Sequence, residues 1–191
     1  MGGRGASFST SSAVLGRKGK PKTAEQALAA TNPKYNSGST EYTHNCQRCV
    51  YAYELQRRGY NVEAKERVLN GRDPMMGGAW QHGFKNQTWT NSGELGSRGT
   101  TVTKNIESKM KGWGEGSRAI IYVAWKNGGA HVFNVENIGG KVSIFDGQTG
   151  KRHALKEYIN EAKPTKTMIS RVDNLDANDN ILQHAVKKKG R

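Results

Sequence analysis

The sequence predicts an α+β fold in which helices precede a mostly antiparallel sheet. Three patterns support this prediction. A helical pattern spans residues 45–58, a continuous apolar run covers residues 119–125, and two strand-like segments at 131–136 and 141–146 flank an Asn-Ile-Gly-Gly turn signal. Because these patterns occur in that order and no segment repeats, we expect one domain with its sheet in the second half.

The helical elements can be placed from capping signals. Thr23 and Gln26 fit a capping box for a short helix over residues 23–30. The main helix, over residues 45–58, has Asn45 or Thr43 as a candidate cap and Gly59 at its end. Its buried stripe is predicted to be Cys46, Cys49, Val50 and Tyr53. Its outer face is predicted to be Gln47, Arg48, Glu54, Arg57 and Arg58.

The remaining elements follow in order. We expect a short strand at 62–64, a helix over 100–110, a helix over 155–162, an outer strand at 167–173 and a last helix over 178–186. Residues 69–100 show little periodicity. Because a loop of that length is uncommon unless it is functional, we expect it to line or cover a site.

Composition and charge set the domain limits. The chain has 191 residues, enough for one sizeable core, but only 34% are hydrophobic and 24 are glycine. The formal net charge of +14 is concentrated at the two ends. We therefore predict a basic, Gly/Ser-rich flexible arm over 1–32, a folded domain over 33–186 and a basic tail over 187–191. Such ends attract nucleic acid or acidic proteins, or simply aid solubility.

Targeting signals are not apparent in the sequence. It has no signal-peptide pattern and no apolar run near the roughly 18 residues that would span a bilayer. Two cysteines three positions apart do not make a disulfide framework. We expect free thiols in a reducing compartment and no membrane partner.

The candidate site consists of Cys46, His131 and Asp146. If Asn137 pairs with Gly140 across the hairpin, His131 lies directly opposite Asp146, with Cβ atoms about 4.5–5.5 Å apart. A bulge would break this register. An imidazole held by a carboxylate can activate a thiol, and a thiol at a helix N-terminus is further favoured as an anion. Cys46 lies in the first turn, so we predict Cys46 as the nucleophile and Cys49 as a small buried residue.

Other interpretations of these residues remain open. His131 could pack as a strand-end aromatic residue, and Asp146 could belong to an ordinary Asp-Gly turn. The Cys-x-x-Cys could bind zinc, although only His44 lies nearby, or act as a redox pair, although the preceding residues make a poor buried strand. We predict no metal and no cofactor.

Supporting residues are less specific. Asn45 or Gln47 could complete an oxyanion pocket with the Cys46 backbone N–H, and the alternative is a helix cap or a solvated side chain. Gln148 could orient the site or donate to a substrate carbonyl, although Gln-Thr-Gly is also an ordinary turn.

Several of these segments together resemble a known family. Residues 45–49 (Asn-Cys-Gln-Arg-Cys), 54–59, 62–64, 129–135 (Gly-Ala-His-Val-Phe-Asn-Val) and 142–150 (ending Phe-Asp-Gly-Gln-Thr-Gly) are similar to papain-fold toxins of glutamine deamidase type. The likeness covers roughly residues 33–175. Similar domains occur at the C-terminal ends of bacterial polymorphic toxins and in or beside phage minor head proteins.

The resemblance implies a papain-like fold with a nucleophile helix packed on the sheet. It places the family's Cys, His and Asp on Cys46, His131 and Asp146. No papain-style Gln directly precedes Cys46, so the oxyanion donors stay unassigned. The implied substrate is a protein glutamine side chain, or a peptide bond in a cysteine protease.

The resemblance also implies partners and a location. An immunity protein, phage capsid or portal proteins, and DNA bound through the basic ends are the expected partners. Virion association or delivery into a host cytoplasm is the expected location. The alternative is a non-catalytic protein of the phage head.

Overall fold

The computed structural model describes residues 13–190 of the chain. The α-helices are α1 (Ala24–Thr31), α2 (Thr40–Thr43), α3 (Cys46–Arg57), α4 (Gly99–Gly112), α5 (Leu155–Ile159) and α6 (Asp179–Ala185). The strands are β1 (Val62–Ala64), β2 (Arg118–Ala124), β3 (Ala130–Ile138), β4 (Lys141–Asp146), β5 (Lys151–Ala154), β6 (Met168–Arg171) and β7 (Val186–Lys188). None of these helices is both long enough and apolar enough to cross a membrane.

Five strands form one antiparallel sheet in the order β5-β4-β3-β2-β6, and β1 pairs with β7 in a second, two-stranded sheet. The predicted α+β class is therefore confirmed. The predicted outer strand is β6, at the edge of the large sheet. Strand β5 was not predicted, because Lys-Arg-His-Ala offers no apolar alternation.

Helix α3 lies between the sheet and the surrounding segments. It ends as predicted before Gly59, whose φ of 101° is in the left-handed region that favours glycine. The predicted outer face is wrong, however, since Arg48 is 2% exposed and Glu54 is fully buried. The hydrophobic pattern failed here because charged residues on this helix are paired inside the protein instead of facing water.

Buried ion pairs hold α3 in place. The Glu54 carboxylate accepts hydrogen bonds from the Arg118 Nε at 2.7 Å and the Arg58 Nε at 2.8 Å. One helical turn further on, Arg57 Nε donates to the β3 residue Glu136 at 2.7 Å. Breaking a buried pair leaves an uncompensated charge, so these contacts fix the helix on β2 and β3.

The long segment between β1 and α4 covers α3. Asp73 accepts a bidentate pair from Arg48, with N–O distances of 2.6 and 3.2 Å. The Tyr51 hydroxyl hydrogen-bonds to the Trp80 carbonyl and accepts from the Gly83 N–H at 3.2 Å. Apart from a 3-10 turn at Ala79–His82 the segment has no regular structure. Besides α3 it contacts the large sheet, since the Trp80 ring stacks on Tyr122 and the Thr90 N–H donates to the Ile169 carbonyl at 3.1 Å.

The folded body extends beyond the predicted domain limits at 33 and 186. Helix α1 has the predicted capping box, and its residues Ala24, Ala27 and Leu28 form an apolar cluster with Tyr53 and Phe145. At the other end, β7 takes up part of the predicted tail. Residues 1–12 of the predicted arm and Arg191 lie outside the described residues.

The β3–β4 hairpin differs from the predicted register by two residues. Ile138 pairs with Lys141, which leaves Gly139 and Gly140 as the turn, with φ values of 61° and 75°. Two positive φ angles are typical of the two-residue turn that suits hairpin twist, and glycine adopts them without strain. Because side chains alternate with a period of two, the shift keeps His131 and Asp146 on one face, as diagonal neighbours.

We predict that Glu54→Gln lowers the free energy of unfolding by about 3 kcal/mol, since the change leaves two arginines without their carboxylate. Urea unfolding would measure the loss. The exposed Glu161→Gln serves as a matched control and should change stability by less than about 0.5 kcal/mol. Equal effects of the two substitutions would show that the Glu54 pairs do not secure α3.

Candidate active site

Cys46 is the first residue of α3 and is partly exposed. The N-terminus of this helix has no side-chain cap and no acidic residue in its first turn. Free N–H groups at a helix start favour a negative charge. The thiol therefore lies where a thiolate or an oxyanion is stabilised.

His131 and Asp146 form a buried pair. The His131 Nε2 and the Asp146 Oδ2 are 3.1 Å apart, and His131 is 9% exposed. Burial alone would raise the pKa of Asp146, but the His131 hydrogen bond and charge lower it below its ordinary value. Asp146 is thus an anion that fixes the orientation of the imidazole.

The imidazole also interacts with the thiol. Burial lowers the pKa of His131, but hydrogen bonds and charge from Asp146 and Cys46 outweigh burial and raise that pKa to about 10. Because Nε2 is bonded to Asp146, Nδ1 is the ring nitrogen left for Cys46. His131 is the second residue of β3. The structure thus brings together the three predicted residues.

Aromatic side chains surround this imidazole. The Trp125 ring stacks on His131 at 6.0 Å between centroids with an interplanar angle of 26°, and Phe133 and Tyr158 lie at 5.9 and 6.1 Å. The Tyr158 hydroxyl donates to the Asp146 Oδ2 at 2.8 Å. These rings keep water from the imidazole–carboxylate bond and strengthen it.

A buried amide network joins the nucleophile helix to the Asp146 turn. The Asn32 Nδ2 is within hydrogen-bonding distance of the Asn45 Oδ1 at 3.1 Å and the Gln148 carbonyl at 3.0 Å. The Asn45 Nδ2 donates to the Asn32 Oδ1 and the Lys65 carbonyl. Both N–H groups of Asn45 are thus occupied within this network. Its side-chain oxygen makes no cap hydrogen bond, so the expected side-chain cap is wrong, while the oxyanion role stays a prediction.

Gly147 lets the backbone of the turn after Asp146 pack closely against α3. A Cβ atom at this position would lie 2.8 Å from the Thr31 Cγ2 and 3.3 Å from the Cys49 carbonyl oxygen. The Asp-Gly pair is therefore more than a surface turn, because glycine lets the residue after Asp146 pack directly on α3.

The other two candidate residues, Gln47 and Gln148, lie beside Cys46 and Asp146. Gln47 follows Cys46 and is partly exposed. The Gln148 N–H donates to the Asp146 Oδ1 at 3.0 Å, and its buried Oε1 has no partner among the described residues. Gln148 thus supports the carboxylate through its backbone.

Cys49 differs from Cys46 in its surroundings. Its thiol is buried and donates to the Asn45 Oδ1 at 3.2 Å, and burial raises its pKa well above the ordinary value. This agrees with its interpretation as a small buried residue. Within residues 13–190, no three His, Cys, Asp or Glu side chains are grouped to hold a metal ion.

Sequence reasoning missed two residues that contact the cluster. The sequence places Asn32 at the boundary of the arm and Tyr158 in an ordinary short helix. No sequence signal marks either one, because each reaches the site through tertiary contacts. Trp125, the last residue of the apolar run over 119–125, also stacks on His131.

A thiol at a helix start, with an imidazole–carboxylate pair from an antiparallel sheet, defines a papain-like thiol hydrolase. Residues 44–151 match the family model of papain fold toxin 1, glutamine deamidase. The match covers more than half of the chain, so the chain belongs to this family of cysteine-dependent amidohydrolases. No curated protein matches the sequence.

The raised pKa of His131 predicts a pH-dependent contribution to stability. A group whose pKa is higher in the folded state stabilises the fold below its unfolded value, 6.5, and loses that effect as the pH rises to about 10. The difference in unfolding free energy between wild type and His131→Ala should therefore shrink over this range. Urea unfolding at several pH values checks it, and a constant or growing difference would contradict it.

Tyr158→Phe should weaken the support of Asp146. Losing one hydrogen bond to a buried carboxylate costs about 1.5–3 kcal/mol, so we expect the turnover rate to fall about tenfold or more, with a smaller change in KM. The acidic limb of the pH–rate profile should also move to higher pH, because the Tyr158 hydrogen bond helps to hold the pKa of Asp146 below its ordinary value. Tyr60→Phe is the control. An unchanged profile would mean that Tyr158 only packs.

Proposed function

We propose that this protein is a protein-glutamine deamidase in which Cys46 is the nucleophile, His131 the acid–base and Asp146 its orienting carboxylate. The observation that carries the proposal is the buried His131–Asp146 pair, 3.1 Å apart, in the same matched segment as a partly exposed thiol at the uncapped start of α3. All three residues lie within the segment that matches the deamidase family.

The chemistry follows from these positions. His131 takes the Cys46 proton, and the sulfur adds to the carboxamide carbon of a glutamine side chain. The imidazolium then protonates the nitrogen of the tetrahedral intermediate, the C–N bond breaks, and ammonia departs, which leaves a thioester on Cys46. Water, deprotonated by the same imidazole, attacks the thioester, which yields glutamate and returns the thiol.

The developing oxyanion needs a donor. The Cys46 backbone N–H lies in the uncapped first turn of α3, so we assign it that role. Gln47, which is next to it and partly exposed, is the nearest side-chain amide that could join it.

Carriage by a phage particle, delivery into a host cytoplasm and neutralisation by an immunity protein extend this proposal. They rest on the resemblance described in the sequence analysis. A deamidase that modifies host proteins would need such delivery and such protection of the producing cell.

We predict that the protein releases ammonia from casein and converts glutamine to glutamate, a mass gain of about 1 Da that mass spectrometry can locate. Cys46→Ala should abolish the reaction, and His131→Ala should slow it about 10²–10⁴-fold. New chain termini without that mass gain would identify a cysteine protease. Activity that survives Cys46→Ala would refute both.

Alkylation tests the nucleophile without a chosen substrate. Because Cys46 is partly exposed while burial raises the pKa of Cys49, iodoacetamide should modify Cys46 well before Cys49, and His131→Ala should slow the reaction at Cys46. Cys49→Ser is the matched control and should leave the alkylation rate of Cys46 unchanged. Equal rates at both cysteines would contradict the assignment.

A further inference from the structure

Two basic segments, near the start and near the end of the described residues, meet in the fold. The Gly19 N–H donates to the Gly59 carbonyl at 2.8 Å, and the Lys189 N–H donates to the Asn61 carbonyl at 3.0 Å. Between these contacts, Val62 pairs with Lys188 in the small sheet. Residues near the start and the end of the described chain thus flank one short segment, 59–62.

Six cations lie together at this place, which we call the basic patch. Its members are Arg17, Lys18, Lys20, Lys22, Lys188 and Lys189. The Lys188 side chain passes so close to Gly16 that a Cβ there would lie 3.1 Å from its Cδ. Arg17, Lys18 and Lys20 are exposed, so their charges face solvent.

Negative charge in the patch is sparse. Glu63 is the nearby carboxylate, and it is shared by Lys187 at 3.5 Å and Lys189 at 3.7 Å. Burial lowers the pKa of Lys22, and the neighbouring charge of Lys189 lowers it further. The fold thus holds like charges close together, at an electrostatic cost that a bound polyanion would offset.

We propose that the basic patch binds the phosphate backbone of nucleic acid without regard to sequence. A specific protein interface is built around exposed aromatic or aliphatic anchors. The exposed large apolar residues in the described chain are Val68, Leu69, Met76 and Ile138, all outside the patch. Proteins bind phosphate through surfaces that expose lysine and arginine and few large apolar side chains.

The patch is separate from the candidate active site. It borders the segment after the C-terminal end of α3, and Cys46 begins that helix, so about 18 Å of helix separates them. Nucleic acid on the patch would hold the enzyme while leaving the thiol open to a protein substrate. Binding and catalysis can therefore be tested separately.

The test is fluorescence anisotropy with a short labelled DNA duplex at increasing NaCl. Wild type should bind, and the affinity should fall steeply with salt. The combined variant Lys18→Glu, Lys20→Glu and Lys188→Glu should bind at least about tenfold more weakly. Its slope of log affinity against log salt should be shallower by about 0.9 for each phosphate that the variant no longer neutralises.

The matched control reverses three exposed lysines on α4 and β4. Lys104→Glu, Lys111→Glu and Lys141→Glu change the net charge equally and should leave most of the affinity intact. Thermal unfolding of both variants checks that they fold. Equal reductions in affinity for the two variants, or no DNA binding by wild type at low salt, would overturn the proposal. Polyglutamate that competes as well as DNA at equal charge would also overturn it, in favour of an acidic protein.

Discussion

The packing of α3 against the sheet is the constraint on which the site depends. The proposed nucleophile is on the helix and the proposed base is on β3, so neither element alone contains the chemistry. Buried carboxylates on both sides of this contact, Glu54 from the helix and Glu136 from the strand, bind arginines of the opposite element. Because breaking such a pair is costly, they hold α3 against the strand that carries His131.

Much of this arrangement could be predicted from the sequence. The helix over 45–58, the apolar run that forms β2 and the paired strands of the hairpin all follow from local periodicity and turn residues. Cys46, His131 and Asp146 follow from the same patterns and from the chemistry of thiol activation. These are short-range signals, and the structure reproduces the elements they define.

The rest depends on contacts between residues far apart in sequence. The predicted hairpin register was wrong by two residues because either Asn137–Gly140 or Ile138–Lys141 could close the turn. The left-handed conformation of both glycines selects Ile138–Lys141. The predicted outer face of α3 was wrong because Arg48 pairs with Asp73 and Glu54 pairs with Arg118. Hydrophobic periodicity does not indicate such ion pairs. The contact between residues 16–22 and 187–189 could likewise not be predicted, since each segment has the composition of a solvated tail.

Asn32 sets a practical boundary on the enzyme. It precedes the segment shared with the family, yet its amide spans the gap between the nucleophile helix and the turn that follows Asp146. Tyr158 occupies a similar position beyond the other end of that segment. A fragment trimmed to residues 44–151 would keep Cys46, His131 and Asp146 but lose Asn32 and Tyr158, which hold the surrounding segments. Relatives that differ in these flanking residues can therefore differ in rate while they share the same three residues.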